Sequence, residues 1–287
     1  MFDPATAPDA ALEPLRSVVR AVLGVESGLA PSDLMVVGAR ARDIIHTALG
    51  HTTPTTTTSD LDLAFGLRSW TAYHRIIAEF PPTPGNANDI RYTIAGCPTD
   101  LLVFGAVEDP RGKATPPPRK EPIDVWAFDE IYGCSLPIDL GGGIQIQIPT
   151  IAGYTAAKLA AWLDRGAPDD LFVYKDASDI ALAMHWYSSS EAMTDRVYGT
   201  AADVLEVESY DVTNASYHLL GLDVVDTIGS DRHGELLARW TEGQMETLTE
   251  HLALPNERQS ASREERLASR REALDALTRG LSGRMSH

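Results

Sequence analysis

The sequence predicts an α+β protein, with a mixed β-sheet domain over residues 1–149 and an all-helical domain over residues 150–287. Three observations predict it. Before Pro149, short apolar runs alternate with turn residues and amphipathic stretches, which is the pattern of strands interleaved with helices. After Pro149, six successive segments carry apolar residues at helical spacing. A chain of 287 residues is also long for one hydrophobic core, so a change of character near its middle reads as a domain boundary.

The elements follow in order. Residues 10–25 carry Leu12, Leu15, Val18, Val19, Val22 and Leu23 at helical intervals. Residues 34–37 form a short buried strand, Gly38 breaks it, and residues 39–49 continue as a helix. A strand, a glycine turn and a helix start in that order can present backbone N–H groups to phosphate. The Thr-rich stretch 50–58 reads as a loop and residues 59–65 as the next strand. Ser69 is placed to cap a helix to about residue 80, with Trp70, Tyr73, Ile76, Ile77 and Phe80 as its apolar stripe. Residues 81–88 are a turn cluster. Residues 90–94 and 100–104 read as strands around Gly96-Cys97-Pro98, and residues 109–122 as an exposed loop. Residues 135–140 and 144–148 form a hairpin about Gly141-Gly142-Gly143. The six helical segments span residues 150–165, 171–187, 195–207, 215–226, 234–252 and 263–281.

Composition narrows the setting. No apolar run reaches the length needed to cross a bilayer, so a membrane role is not expected. The N-terminus lacks a secretory pattern, and Cys97 and Cys134 lie far apart without metal-like spacing; a cytoplasmic setting is expected. A net charge of −17 disfavours a broad basic nucleic-acid surface. A local one could come from the arginines of residues 258–284, although interspersed glutamates also fit a solvated helix with paired charges.

The chemistry concentrates at Asp60-Leu61-Asp62. Alternate residues of a strand share a face, so the two carboxylates point the same way and repel unless a cation lies between them. Mg²⁺, one ion or two, is the expected cation, because it takes hard oxygen ligands and leaves room for phosphates. Asp100, the one acid of an otherwise apolar run, is the candidate third ligand, or the base for an attacking hydroxyl. Gly38, Ala39 and Arg42 are candidates for phosphate contact at the turn and helix start. Only four lysines occur, and Lys158 lies on an almost wholly apolar helix, where a charge is costly unless it reaches solvent or a partner. Arg165 follows two turns later. In the run Lys175-Asp176-Ala177-Ser178-Asp179, Lys175 and Asp179 share a helix face, as do Asp176 and Asp179; they read either as a surface salt bridge or as a site where one aspartate positions Lys158 or orients the acceptor.

Taken in series, these residues resemble the DNA polymerase β-like nucleotidyltransferase superfamily. Gly38-Ala39, Asp60-x-Asp62 and Asp100 match its strand-glycine turn, its acidic pair and its third acid. Lys158, Arg165 and Lys175-Asp176-x-x-Asp179 are similar to the AbiEii type within it, which includes the MenT toxins. Ala39 stands where the superfamily usually has a hydroxyl or a second glycine, and its backbone N–H can still serve. The resemblance implies a nucleotidyltransferase-like sheet domain with Mg²⁺ held by Asp60, Asp62 and Asp100. It implies an NTP bound by Gly38, Ala39, Arg42, Lys158, Asp176 and Asp179. It also implies transfer of an NMP to tRNA or another RNA, as the toxin of a toxin–antitoxin pair with an antitoxin partner. Two alternatives stand beside it: an aminoglycoside-type antibiotic nucleotidyltransferase, which suits the acidic surface, and a degenerate non-catalytic nucleotide-binding module.

Overall fold

The structure is a computed structural model that describes residues 2–53, 55, 60–85, 89–165, 171–258 and 260–283, without the side chains of 171–173. The protein is α+β, a six-stranded mixed sheet in the N-terminal half and a helical C-terminal region. It divides into two compact units, Phe2–Thr150 and Ile151–His287. No helix among the described residues is long and apolar enough to cross a membrane.

The first unit runs α1 (Asp9–Leu12), α2 (Leu15–Leu23), β1 (Leu34–Val37), α3 (Gly38–Ala48), β2 (Leu61–Leu67), α4 (Trp70–Glu79), β3 (Arg91–Ile94), β4 (Cys97–Gly105), β5 (Lys113–Ala114), β6 (Ile123–Asp124), α5 (Phe128–Gly133), β7 (Leu136–Asp139) and β8 (Gln145–Ile148). The large sheet has the order β3-β4-β2-β1-β8-β7. β1 pairs antiparallel with β2, and β2 pairs parallel with β4, so the chain crosses over through α4 between them. Leu34, Val36, Leu61, Leu63, Phe65, Leu101 and Val103 are fully buried. By register they share one face, which is the core of this unit.

Several boundaries differ from the sequence reading, each for a physical reason. The helix expected over residues 10–25 is broken at Pro14, whose ring cannot sit inside a helix. The strand expected at 59–65 is Leu61–Leu67; Asp60 immediately precedes it, and Ser59 lies outside the described residues, as do Pro54, Thr56–Thr58 of the Thr-rich stretch and residues 86–88 of the turn cluster. The turn expected at Gly96-Cys97-Pro98 falls at Ala95-Gly96, both with positive φ, the geometry of a two-residue hairpin turn. Cys97 and Pro98 therefore belong to β4. Proline is tolerated there because pairing with β2 begins only at Thr99. The stretch 109–122 is not wholly exposed: Ala114 is buried in the small β5–β6 sheet.

The second unit consists of α6 (Ile151–Arg165), α7 (Leu171–Ser188), α8 (Glu191–Tyr198), α9 (Ala202–Val207), α10 (Val212–Arg239), α11 (Glu242–His251) and α12 (Arg263–Leu281). The expected helix 195–207 is two helices, separated at Gly199, and the expected helices 215–226 and 234–252 divide at Trp240 instead of before Gly234. α10 passes through that region with a kink at Gly229, whose φ of 73° only glycine adopts at low cost. It packs against α6, α7 and α12. Gly221 and Gly280 let α10 and α12 touch backbone to backbone: a Cβ on Gly280 would lie 2.1 Å from the His218 carbonyl oxygen.

Candidate active site

The antiparallel hairpin β3–β4 and the parallel pair β2–β4 place four residues in one line across the sheet. Val37 is opposite Asp62, Asp62 beside Asp100, and Asp100 opposite Arg91. Residues in register on neighbouring strands project to the same face, so Asp62, Asp100 and Arg91 stand side by side. Two like charges so placed destabilise a sheet unless a counter-charge is near. Arg91 supplies it. Its Nε and Nη2 donate to the two oxygens of Asp100, each at 2.7 Å. Nη2 also donates to Asp60 Oδ2 at 2.7 Å. A planar guanidinium meeting both oxygens of a carboxylate is among the stronger polar contacts a protein makes. These bonds, led by the one to Asp100, hold the Arg91 pKa above its ordinary value, and Asp60 and Asp62 add to the effect.

The three acids are brought together, though not quite as the sequence suggested. Asp100 does not open its strand; it is the fourth residue of β4 and only 8% exposed. Its interior position is what gives it neighbours on both sides. Asp60 and Arg91 are half-buried, so this face of the cluster meets solvent.

The other side of Asp62 is closed by Gly38. Gly38 has φ +62°, and a Cβ there would lie 1.9 Å from Asp62 Oδ2. Glycine is required twice: for its backbone conformation and because the carboxylate occupies the side-chain position. Gly38 and Ala39 are the first residues of α3, whose N-terminus has no side-chain cap. Uncapped N–H groups and the helix dipole favour negative charge at that end, which suits Asp62 and would equally suit a phosphate. Ala39 is buried, so its contribution is its backbone alone.

The two arginines of α3 divide unexpectedly. Arg42, the sequence candidate, is 2% exposed and its Nη2 lies 2.8 Å from Asp43 Oδ1. Arg40 is half-buried, its Nε makes no hydrogen bond, and its charge reaches Cys97, as does that of Asp60. Arg40 is thus the less enclosed of the two guanidiniums, although its Nε is buried. Burial, the largest influence on Cys97, pushes its thiol above the ordinary range, so it is no ready nucleophile.

Arg91 is the member of the cluster the sequence reading missed, although a signal existed. It is the sole charge in β3, and a two-residue turn at Ala95-Gly96 pairs residue 91 with residue 100. Placing the turn later hid that register.

Within the helical unit, the remaining candidates form their own network. Lys158 Nζ lies 2.6 Å from Asp179 Oδ2 and 3.6 Å from Asp176 Oδ1. Arg165 Nη1 donates to Asp176 Oδ2 at 2.9 Å. Asp176 is 0% and Asp179 2% exposed, so these acids face the interior and are not members of a surface pair. Lys158 also sits over the Tyr154 ring, 5.6 Å from its centroid. Burial pushes the Asp176 carboxyl above its usual range, against the pull of Lys158 and Arg165. The arginines of α12 are largely committed within the unit. Arg270 is paired with Glu257, Arg271 with Glu242 and Asp275, and Arg279 with Glu208, which also meets His218.

The acidic cluster offers the oxygen donors a hard divalent cation takes. Among the described residues no group of three or more His, Cys, Asp and Glu side chains is arranged to hold a metal as it stands; at this cluster, Arg91 is bonded to the oxygens of Asp100 and Asp60. No family model, curated protein or solved structure matches the chain.

Two outcomes follow from this geometry. Gly38→Ala should destabilise the first unit by roughly 2–4 kcal/mol, from left-handed backbone strain plus the clash with Asp62; denaturant unfolding measures it, and a loss near zero would contradict the contact. Lys158→Met should remove the cation that both buried carboxylates share, at a cost of about 3–5 kcal/mol at neutral pH. The sign with pH is fixed by Asp176: its folded pKa is raised, so its contribution favours the fold below its unfolded pKa and is lost as pH rises through the folded value. The penalty of Lys158→Met should therefore be larger at about pH 8 than at about pH 4. Equal penalties in the two urea titrations would contradict the network.

Proposed function

We propose that this protein is a nucleotidyltransferase, which moves a nucleoside monophosphate from an NTP to an acceptor hydroxyl with release of pyrophosphate. The observation that carries the reading is the side-by-side register of Asp62 and Asp100 on adjacent parallel strands, with Asp60 two residues upstream and Gly38 pressed against Asp62. The succession of strand, positive-φ glycine, helix N-terminus, acidic pair and third acid is the one the nucleotidyltransferase resemblance calls for.

The donor chemistry suits Mg²⁺, which Asp60, Asp62 and Asp100 would hold in place of Arg91. When bound, such an ion neutralises phosphate charge and lowers the pKa of a coordinated hydroxyl. The chain's own groups do the rest. The N–H groups of Gly38 and Ala39, at a helix start without a side-chain cap, are the donors for a phosphate chain, with the half-buried Arg40 guanidinium on the same first turn. Asp100, buried yet within the cluster, is the carboxylate to accept the proton of an acceptor hydroxyl. The NTP role of Lys158, Asp176 and Asp179 rests on the resemblance; Asp176 and Asp179 hold Lys158 in place, in keeping with a positioning role.

The acceptor we infer from the resemblance is tRNA or another RNA, with toxin activity and an antitoxin partner. A second reading, a small cationic acceptor such as an aminoglycoside, is favoured by two observations: the net charge is −17, and several arginines of α12 are engaged in ion pairs.

Incubation with labelled NTPs, Mg²⁺ and either total tRNA or an aminoglycoside tests both. Label in RNA supports the first reading, and label in the antibiotic the second. Asp62→Asn should lower transfer about 100-fold or more with unchanged circular dichroism; a fully active variant would refute the assignment of Asp62.

A further inference from the structure

We infer that Arg91 competes with the divalent cation for the acidic cluster, so that the cluster exists in two states, one closed by the guanidinium and one open to the metal. The inference rests on the nucleotidyltransferase reading and adds to it a residue which that reading does not contain.

The geometry carries it. One guanidinium satisfies both oxygens of Asp100 and one oxygen of Asp60, at 2.7 Å in each case. These are the same oxygens a hard cation would need, and a carboxylate bound edge-on by a guanidinium cannot present that edge to a metal. Arg91 also brings a positive charge within reach of all three acids, since Asp60, Asp62 and Asp100 each act on it. A divalent ion entering beside a fixed cation meets repulsion unless that cation moves. Movement is open to Arg91. It belongs to β3, at the end of the sheet order, and is half-buried at a solvent-facing rim. A long side chain in that position can reach water, and a divalent ion taken up by the same carboxylates would offset the loss of its hydrogen bonds.

The contact has a purpose in the metal-free protein. Asp62 and Asp100 are neighbours on paired strands, and without a counter-charge their repulsion falls on the centre of the sheet. Arg91 holds the cluster together until the cation arrives. It is therefore a positioning residue for Asp100 and Asp60, and it sets the cation concentration at which the site opens.

Manganese is the probe, read by the loss of its free-ion paramagnetic resonance signal as it binds the full chain in the absence of nucleotide. Arg91→Gln, which removes the charge and the fork, should bind Mn²⁺ about tenfold more tightly than the unaltered protein. Arg91→Lys, which keeps the charge without the fork, should fall between the two. The double variant Asp62→Asn, Arg91→Gln should lose the gain. A purely structural role for Arg91 would leave the affinity unchanged or weaken it, and either result in Arg91→Gln overturns the inference while leaving nucleotidyl transfer intact. Should Arg91→Gln fail to fold, Arg91→Lys decides, and an affinity no tighter than that of the unaltered protein overturns the inference. No Mn²⁺ binding by any folded form would overturn both this inference and the metal assignment beneath it.

Discussion

The first unit depends on one rung of its sheet. Val37, Asp62, Asp100 and Arg91 lie in register across four strands, and two of the four are carboxylates on adjacent strands. Hydrophobic burial on the opposite face cannot remove that repulsion. It is offset from two directions: the guanidinium of Arg91 on one flank, and the uncapped start of α3 behind Gly38 on the other. Such an arrangement adds nothing obvious to stability that apolar residues could not supply more simply. Its placement in the centre of a mixed sheet is the physical reason to propose it as a site.

The second unit handles charge differently. Its two buried acids, Asp176 and Asp179, are met by Lys158 and Arg165, so the apolar helix α6 carries a lysine that ends on carboxylates in the interior. Glu208, His218 and Arg279 repeat the principle where α10 and α12 approach through Gly221 and Gly280. In both units the buried carboxylates Asp100, Asp176, Asp179 and Glu208 are each met by a cationic side chain.

Much of this was legible in the sequence. Asp60 and Asp62 stood out because acids are disfavoured in strands and alternate residues share a face. Asp100 stood out as one acid in an apolar run. Helix α12 was bounded correctly from its spacing alone, with Ser262 and Glu265 forming a capping box at its start. What failed was register and continuity. Pro98 inside β4 argued for a turn, and only the missing β2 neighbour at that level explains why the strand accommodates it. That one misplaced turn concealed Arg91. The extent of α10 was hidden by Gly229, since a glycine that permits a kink and a glycine that ends a helix look alike in sequence. Arg42 rather than Arg40 was chosen because burial of neighbouring side chains on one helix cannot be ranked without the fold.

The central claim is that this rung is built to hold a cation beside the start of α3. Anomalous diffraction at the manganese edge, from crystals grown with Mn²⁺ and a non-hydrolysable NTP analogue, tests it most directly. The account requires a peak bounded by Asp60, Asp62 and Asp100, phosphate density at Gly38 and Ala39, and Arg91 turned away from Asp100. Nucleotide and metal lodged elsewhere, with Arg91 still forked on Asp100, would contradict it.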